Sequence, residues 1–173
     1  MSVSATVNGV DVEQLAGLRD RLARNPVEGD TTWRAEVTWK GGFVNEIRVR
    51  DLVPLRADEP TQLGGSNTAP NPVEQLLGAL GSCLAIGYTA NASVRGITVE
   101  ELRIDLEGHI DLPVFLGLKD GNAGYPEVGV RVHLKAAAPP EVLRELHEHV
   151  LRTSPVGNTI QRSVGLKADL VTA

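Results

Sequence analysis

Cys83 is the residue with the clearest capacity for chemistry, because it is the only cysteine among the 173 residues. A cysteine thiolate is a nucleophile and is readily oxidised, so this position could carry peroxide or disulfide-exchange chemistry. A free cysteine is also one of the most frequently buried residue types, and a small core residue is the alternative interpretation. A reactive cysteine in the middle of a helix needs a cation from another element, and the candidates are Arg56, Arg152 and Arg162.

Two further polar side chains could support that chemistry, and each also has a structural explanation. Glu74 follows Asn71 and Pro72 in a pattern typical of a capping box, so it is either a catalytic carboxylate or a helix cap. Ser154 precedes Pro155, where a serine is a common N-cap. The four histidines show no spacing that converges on a metal ion, and no segment has the context of a phosphate-binding loop. We therefore expect no metal and no cofactor.

The composition excludes several classes of protein. A single cysteine rules out an intramolecular disulfide scaffold and a cysteine-rich metal cluster. The net charge of −5, from 22 acidic and 17 basic side chains without a basic run, argues against a nucleic-acid partner. Residues 75–94 carry no charge, but their polar residues and glycines fit a buried helix better than a membrane span. The first ten residues lack a signal-peptide pattern, so we expect a cytoplasmic protein.

Hydrophobic periodicity and turn residues predict an α+β protein with antiparallel sheets, because strand pairs are separated by helices without regular alternation. The predicted elements, in chain order, are a helix at 11–24, strands at 32–40 and 44–52 joined at Gly41-Gly42, a loop at 54–70, a helix at 71–95, strands at 97–111 and 128–136, a helix at 139–152, a short segment at 154–162, and a strand at 166–171. A loop as long as the one at 54–70 is usually functional or disordered.

The helix at 71–95 is the clearest of these elements. On a helical wheel of about 100° per residue, Leu76 and Leu80 lie on the same face as Cys83, and the flanks are apolar too. We expect these leucines to line an apolar pocket beside the thiol. A helix that is apolar nearly all round is buried on several sides. One chain of this length encloses such a helix with difficulty, which predicts an intertwined homodimer whose second subunit covers part of it.

Two motifs resemble those of the OsmC/Ohr family. Residues 71–83, NPVEQLLGALGSC, resemble that family's core motif, written loosely as N-P-x-E-x-L-L-x-A-x-x-x-C. Residues 154–160, SPVGNTI, resemble its second motif, C-P-V-x-x-T-L. The order and spacing of the motifs, with the surrounding strand–helix pattern, extend the resemblance over residues 31–172. We therefore expect an OsmC-like domain at 31–173, preceded by an N-terminal helical extension at 1–30.

The resemblance implies two interlocked chains, with two active sites at their interface, that reduce organic hydroperoxides with a thiol. In such a site Cys83 would attack the peroxide, while Arg56 and Glu74 would position and polarise its thiolate. The second cysteine of the family is replaced here by Ser154, so no intramolecular disulfide can form and any cycle needs an external thiol or another chain's cysteine as reductant. The alternative is a non-catalytic OsmC-fold protein that binds a small apolar ligand or senses oxidants through Cys83.

Overall fold

The structure is a computed structural model that describes residues 6–172. Across these residues it is an α+β protein with three antiparallel sheets, β1–β2, β3–β4–β5 and β6–β7. The strands are β1 (Thr6–Val7), β2 (Val10–Asp11), β3 (Glu36–Trp39), β4 (Asn45–Arg48), β5 (Leu55–Ala57), β6 (Val99–Gly108) and β7 (Val128–Ala136). The helices are α1 (Val12–Arg24), α2 (Pro72–Val94), α3 (Leu112–Phe115), α4 (Pro140–Thr153) and α5 (Pro155–Gln161). No helix in the described range is long and apolar enough to cross a membrane.

Helix α2 begins and ends where the sequence predicts. The Asn71 side chain accepts a hydrogen bond from the Glu74 N–H at 2.9 Å, and the Glu74 carboxylate accepts one from the Asn71 N–H at 2.9 Å. This capping box satisfies two backbone N–H groups at the start of the helix that would otherwise lack partners. Gly96 follows the last turn with a φ of 68°, a left-handed conformation that glycine adopts without steric cost. The predicted bounds of this helix are confirmed.

The three-stranded sheet is built on a tight hairpin. Gly41 and Gly42, both with positive φ, form the predicted turn between β3 and β4. Ile47 of β4 pairs with Val37 on one side and with Leu55 of β5 on the other. Strands β3 and β4 are shorter than predicted, and β5 lies in the stretch predicted to be a loop. A three-residue strand is too short to show a period of two, which is why the pattern missed it.

The core lies between one face of α2 and the β6–β7 hairpin, and α4 packs against the same helix. Four of the buried residues of α2, Leu80, Leu84, Tyr88 and Ala92, recur every fourth position, which places them on a single face. The buried apolar side chains of this core are Leu80, Leu84, Tyr88, Ala92, Ile97, Leu146 and Val150. Gly81 permits the close approach of β6, since a Cβ there would lie 2.7 Å from Leu106 Cδ1. The strand predicted at 128–136 is confirmed in full.

Other apolar surfaces of the chain are open to solvent. On α2, Ile86 is 69% exposed and Leu76 is 43% exposed, so the predicted burial on several sides holds in the single chain only for the core face. The segment that contains β3–β4–β5 exposes further large apolar side chains, among them Trp33, Val37, Trp39, Val53 and Leu55. Large exposed apolar areas on a folded chain usually mark interaction surfaces.

The predicted strand at 166–171 is wrong for the single chain. Residues 163–172 form neither helix nor strand, and Leu166, Leu170 and Val171 are almost fully exposed. A strand needs a neighbour to pair its backbone N–H and C=O groups, and no strand within residues 6–172 pairs with this segment. The apolar alternation in the sequence could not reveal that the partner is missing.

Candidate functional site

Cys83 lies near the middle of α2 and is partly buried. Its sulfur lies 3.3 Å from the hydroxyl oxygen of Ser154, which is within hydrogen-bonding distance for sulfur. The two residues are 71 positions apart in the sequence, and the packing of α2 against α4 and α5 brings them together. The cysteine of the first sequence motif and the serine of the second therefore meet in one place.

Ser154 lies at the junction of α4 and α5 and is only 5% exposed. Its N–H donates to the Val150 carbonyl at 2.9 Å, which ends α4. Its hydroxyl oxygen accepts from the Gly157 N–H at 3.1 Å, which confirms the predicted N-cap role at the start of α5. The Asn158 side chain donates to the Ser154 carbonyl at 2.8 Å. These contacts hold the hydroxyl in a fixed position beside the Cys83 sulfur.

A cleft of about 470 Å³ adjoins Ser154. The cleft has mainly aliphatic walls, which are Leu80, Leu84, Val128, Val130, Leu151 and Ile160. Tyr125, Glu127 and Gln161 add polar groups to its lining. The structure thus places Leu80 in the wall of this cleft, whereas Leu76 is not among the lining residues and is exposed. A cleft of this size and character is suited to a small, largely apolar molecule.

Glu74 caps α2 and lies far from the sulfur. It lies nine positions before Cys83 on the helix, which corresponds to about 13 Å along the helix axis. Its charge acts instead on Tyr125, where burial and, secondarily, the Glu74 carboxylate raise the pKa of the phenol. The Tyr125 hydroxyl donates to the Val73 carbonyl in the first turn of α2 at 3.2 Å. The structure therefore supports the capping interpretation of Glu74.

Arg56 is attached to the start of α2 through its backbone. Its carbonyl accepts a hydrogen bond from the Gln75 side chain at 2.7 Å, while its side chain is exposed. Within residues 6–172, the Cys83 sulfur hydrogen-bonds to Ser154 and to no arginine of the same chain. Arg152, another predicted candidate, contacts the His149 ring at 3.4 Å instead.

Asp58 is a structural residue of this region that the sequence analysis missed. It is 1% exposed, and its carboxylate accepts from the backbone N–H groups of Glu59, Ser66 and Thr68 and from the Thr68 hydroxyl, at 2.8–3.4 Å. These hydrogen bonds, the one from the Thr68 N–H above all, lower the pKa of Asp58 to about 2. The loop at 58–68 is therefore ordered by one carboxylate. An aspartate ahead of a Gly-Gly-Ser-Asn-Thr run was the available signal.

A second polar contact joins α2 to α4. The Tyr88 hydroxyl hydrogen-bonds to His147 Nδ1, and the two rings are stacked with centroids 6.1 Å apart. Burial raises the pKa of Tyr88 to about 12, so the phenol is neutral at neutral pH. In the part of the chain that the structure describes, the His, Cys, Asp and Glu side chains form no group that could hold a metal ion.

Comparison with known proteins gives one family match. The family model described as OsmC-like protein matches residues 65–169, which is more than half of the chain and includes both Cys83 and Ser154. No curated protein sequence matches the chain at a significant level.

Several solved structures share the fold. An OsmC-like protein from Mycoplasma pneumoniae aligns with a TM-score of 0.65 at 18% identity, over 76% of this chain and 89% of the other. An organic hydroperoxide resistance protein from Legionella pneumophila aligns with a TM-score of 0.56 at 19% identity, over 76% and 92%. One from Elizabethkingia anophelis aligns with a TM-score of 0.53 at 19% identity, over 76% and 91%. At these identities the likeness establishes the fold.

Proposed function

Because the chain belongs to the OsmC-like protein family, we propose that it reduces organic hydroperoxides through Cys83, with an external thiol as the reductant. The observation that carries this proposal is the position of Cys83, a partly exposed residue whose sulfur lies 3.3 Å from the Ser154 hydroxyl, and Ser154 lines an apolar cleft. The cleft would hold the alkyl part of the substrate while the peroxide group meets the sulfur. Two of the structural relatives are described as organic hydroperoxide resistance proteins, which agrees with this substrate class.

The reaction is a two-electron oxidation of the sulfur. The Cys83 thiolate attacks the terminal oxygen of the hydroperoxide, a sulfur–oxygen bond forms and the oxygen–oxygen bond breaks. The departing alkoxide takes a proton from water and leaves as the alcohol, and Cys83 becomes a sulfenic acid. One external thiol condenses with the sulfenic acid to give a mixed disulfide and water. A second external thiol then attacks the mixed disulfide. This step returns Cys83 to its reduced form and releases the two external thiols joined as their disulfide.

We propose an external reductant because the chain has one cysteine, and Ser154 stands beside Cys83 where a second cysteine would close a disulfide. A supply of reduced small thiols is typical of the cytoplasm, and we propose that the protein acts there.

We further propose that two chains interlock as a homodimer. The exposed apolar residues of the segment containing β3–β4–β5, the exposed Ile86 on α2 and the unpaired apolar segment at 166–171 all need a covering surface, and a second copy would supply it. In this arrangement Arg56 of one chain would lie near Cys83 of the other and would position its thiolate, while Glu74 would contribute by capping the helix that carries Cys83. This would explain why Arg56 makes no hydrogen bond to the sulfur of its own chain.

The alternative function is non-catalytic. Within the described residues of one chain no cation hydrogen-bonds to the sulfur, while an apolar cleft adjoins Ser154. A protein that binds a small apolar ligand or senses oxidants through Cys83 would have the same features. The two functions differ in turnover. An enzyme consumes many equivalents of peroxide with thiol present, whereas a sensor consumes one.

The test is the consumption of cumene hydroperoxide with dithiothreitol as the thiol. We expect multiple turnovers for the wild-type chain and none for Cys83→Ser. Ser82→Ala is the matched control, because Ser82 is the exposed neighbour of Cys83 and, among residues 6–172, its hydroxyl donates only to the Ala79 carbonyl of its own helix. Full activity of Cys83→Ser would refute the proposal, and a single stoichiometric turnover of the wild type would favour the oxidant sensor.

A further inference from the structure

We propose that the Ser154 hydroxyl is a catalytic residue that donates a hydrogen bond to the Cys83 sulfur and so stabilises the thiolate. This inference rests on the proposed function, and it assigns to Ser154 a role beyond that of a helix cap. Ser154 touches the reacting atom, at 3.3 Å. It would act from within the same chain, independently of any arginine that a second subunit brings.

The direction of the hydrogen bond follows from the partners of the hydroxyl. A serine hydroxyl has one proton to donate and two lone pairs that accept. One lone pair of Ser154 accepts the Gly157 N–H at 3.1 Å, which leaves the hydroxyl proton free for another acceptor. A thiolate has no proton, so in the ionised state the only hydrogen that can lie between the two atoms is that of Ser154.

The hydroxyl is held in place for this role. The backbone of Ser154 is fixed from both sides, by the bond of its N–H to Val150 and by the Asn158 side chain on its carbonyl. Because the residue is almost fully buried, water competes weakly for its proton. A hydrogen bond to a charged acceptor is roughly twice as strong as one between neutral groups, so the contact favours the thiolate over the thiol.

Ser154 would act on the state from which the reaction starts, which is the thiolate of Cys83. The Ser154 proton stays on its oxygen throughout, and the alkoxide that leaves the peroxide is protonated by water. What Ser154 changes is the fraction of chains whose Cys83 is ionised at neutral pH. That fraction is measurable without any peroxide, through the rate at which iodoacetamide alkylates the thiol. With one cysteine in the chain, mass spectrometry reports on Cys83 alone.

The experiment compares alkylation of the wild type, Ser154→Ala and the control Ser82→Ala at neutral pH and at strongly alkaline pH. We expect Ser154→Ala to react about tenfold more slowly at neutral pH, the size of a typical hydrogen bond to a charged group. At alkaline pH, where the thiol is ionised in either chain, the two rates should converge. Ser154→Thr, which keeps the hydroxyl, should restore the neutral rate, and Ser82→Ala should match the wild type at both pH values.

The comparison of the two pH values distinguishes the loss of the hydrogen-bond donor to the sulfur from the loss of the α5 helix cap. Loss of the α5 cap alone would alter the access of iodoacetamide to the sulfur, and would change both rates by the same factor. Equal rates for Ser154→Ala and the wild type at neutral pH, or an equal change at both pH values, would overturn the proposal. Circular dichroism establishes that each variant is folded before it is alkylated.

A second variant tests the geometry if Ser154→Ala does not fold. Ser154→Cys places a second sulfur beside Cys83, and a contact of 3.3 Å is close enough for a small rotation to reach the bond length of about 2.05 Å. Diamide, which accepts two hydrogens from a pair of thiols, should convert this variant to an intramolecular disulfide and remove both alkylatable thiols. If both thiols remain free in folded protein, the two side chains do not meet and the proposal fails.

These outcomes are independent of peroxide turnover. If alkylation behaves as expected but cumene hydroperoxide is not consumed, the proposed function fails while the role of Ser154 in stabilising the thiolate stands. If peroxide is consumed but alkylation of Ser154→Ala is unchanged, the function stands and the thiolate is stabilised by another group.

Discussion

The side-chain amide of Asn8 donates a hydrogen bond to the Ser93 hydroxyl at 3.0 Å, across 85 positions of the sequence. The same amide donates to the Ile97 carbonyl at 2.9 Å, and the Asn8 carbonyl oxygen accepts from the Val99 N–H at 2.9 Å. One residue of the N-terminal hairpin thereby joins the end of α2 to the beginning of β6. The described part of the N-terminal extension, from residue 6 onward, is thus attached through Asn8 to the helix that carries Cys83.

We predict that Asn8→Ala destabilises the chain by about 3 kcal/mol, because it removes three partly buried hydrogen bonds and strains a backbone with positive φ. Thermal unfolding followed by calorimetry measures the effect. Asn8→Gly is the matched variant, since it loses the same hydrogen bonds but accommodates the φ of 53°. Its melting temperature should lie between that of the wild type and that of Asn8→Ala. An unchanged melting temperature for Asn8→Ala would show that the hairpin is not docked in solution.

Asp58→Asn should destabilise the chain at neutral pH, because an amide cannot accept all the hydrogen bonds that the carboxylate accepts around the 58–68 loop. The folded pKa of about 2 lies below the ordinary value of 3.8, so Asp58 stabilises the fold above the higher value. This contribution disappears as the pH falls from about 4 to about 2. The difference in melting temperature between wild type and variant should therefore narrow over that range. The exposed Asp30→Asn is the control, and it should show no such difference.

Tyr88→Phe tests the buried phenol. Phenylalanine fills the same space and loses only the hydrogen bond to the exposed His147, so we expect a loss of about 1 kcal/mol at neutral pH. The pKa of Tyr88 is raised from 10.0 to about 12, so the neutral phenol stabilises the fold below pH 10, and this contribution is lost as the pH rises towards 12.

Alkaline unfolding curves measure this contribution. The wild type should lose stability over the pH range in which Tyr88→Phe does not. If Tyr88→Phe loses stability over the same alkaline range as the wild type, Tyr88 is not the group responsible for that loss.

Tryptophan fluorescence tests the proposed homodimer. The two tryptophans of the sequence, Trp33 and Trp39, are 77% and 69% exposed in the single chain. If a second copy covers this region, emission at high protein concentration should lie at short wavelength and should shift to longer wavelength on dilution. Sedimentation velocity over the same concentrations should show the change in mass. A monomer at high concentration, with the emission of exposed tryptophan, would contradict the homodimer.

For several elements, signals from residues that are neighbours in the sequence were sufficient to predict where the element begins and ends. The bounds of α2 follow from the Asn71 cap, the Glu74 carboxylate and Gly96, because these interactions involve neighbours in the sequence. The hairpin at Gly41-Gly42 is set in the same way, by glycines that adopt positive φ. The missed β5 and the absent strand at 166–171 have the opposite character, because a strand exists only through pairing with a distant segment.

The sequence by itself determined Cys83 as the candidate reactive residue and the family motifs around it, because one cysteine in one recognisable helix needs no tertiary information. Only the tertiary structure decided that the Cys83 sulfur meets the Ser154 hydroxyl. That contact depends on how α4 and α5 pack against α2, which is governed by side chains such as Leu146 and Val150 far away in the sequence. The direction proposed for this hydrogen bond rests in turn on the Gly157 N–H, which donates to the same Ser154 hydroxyl at 3.1 Å.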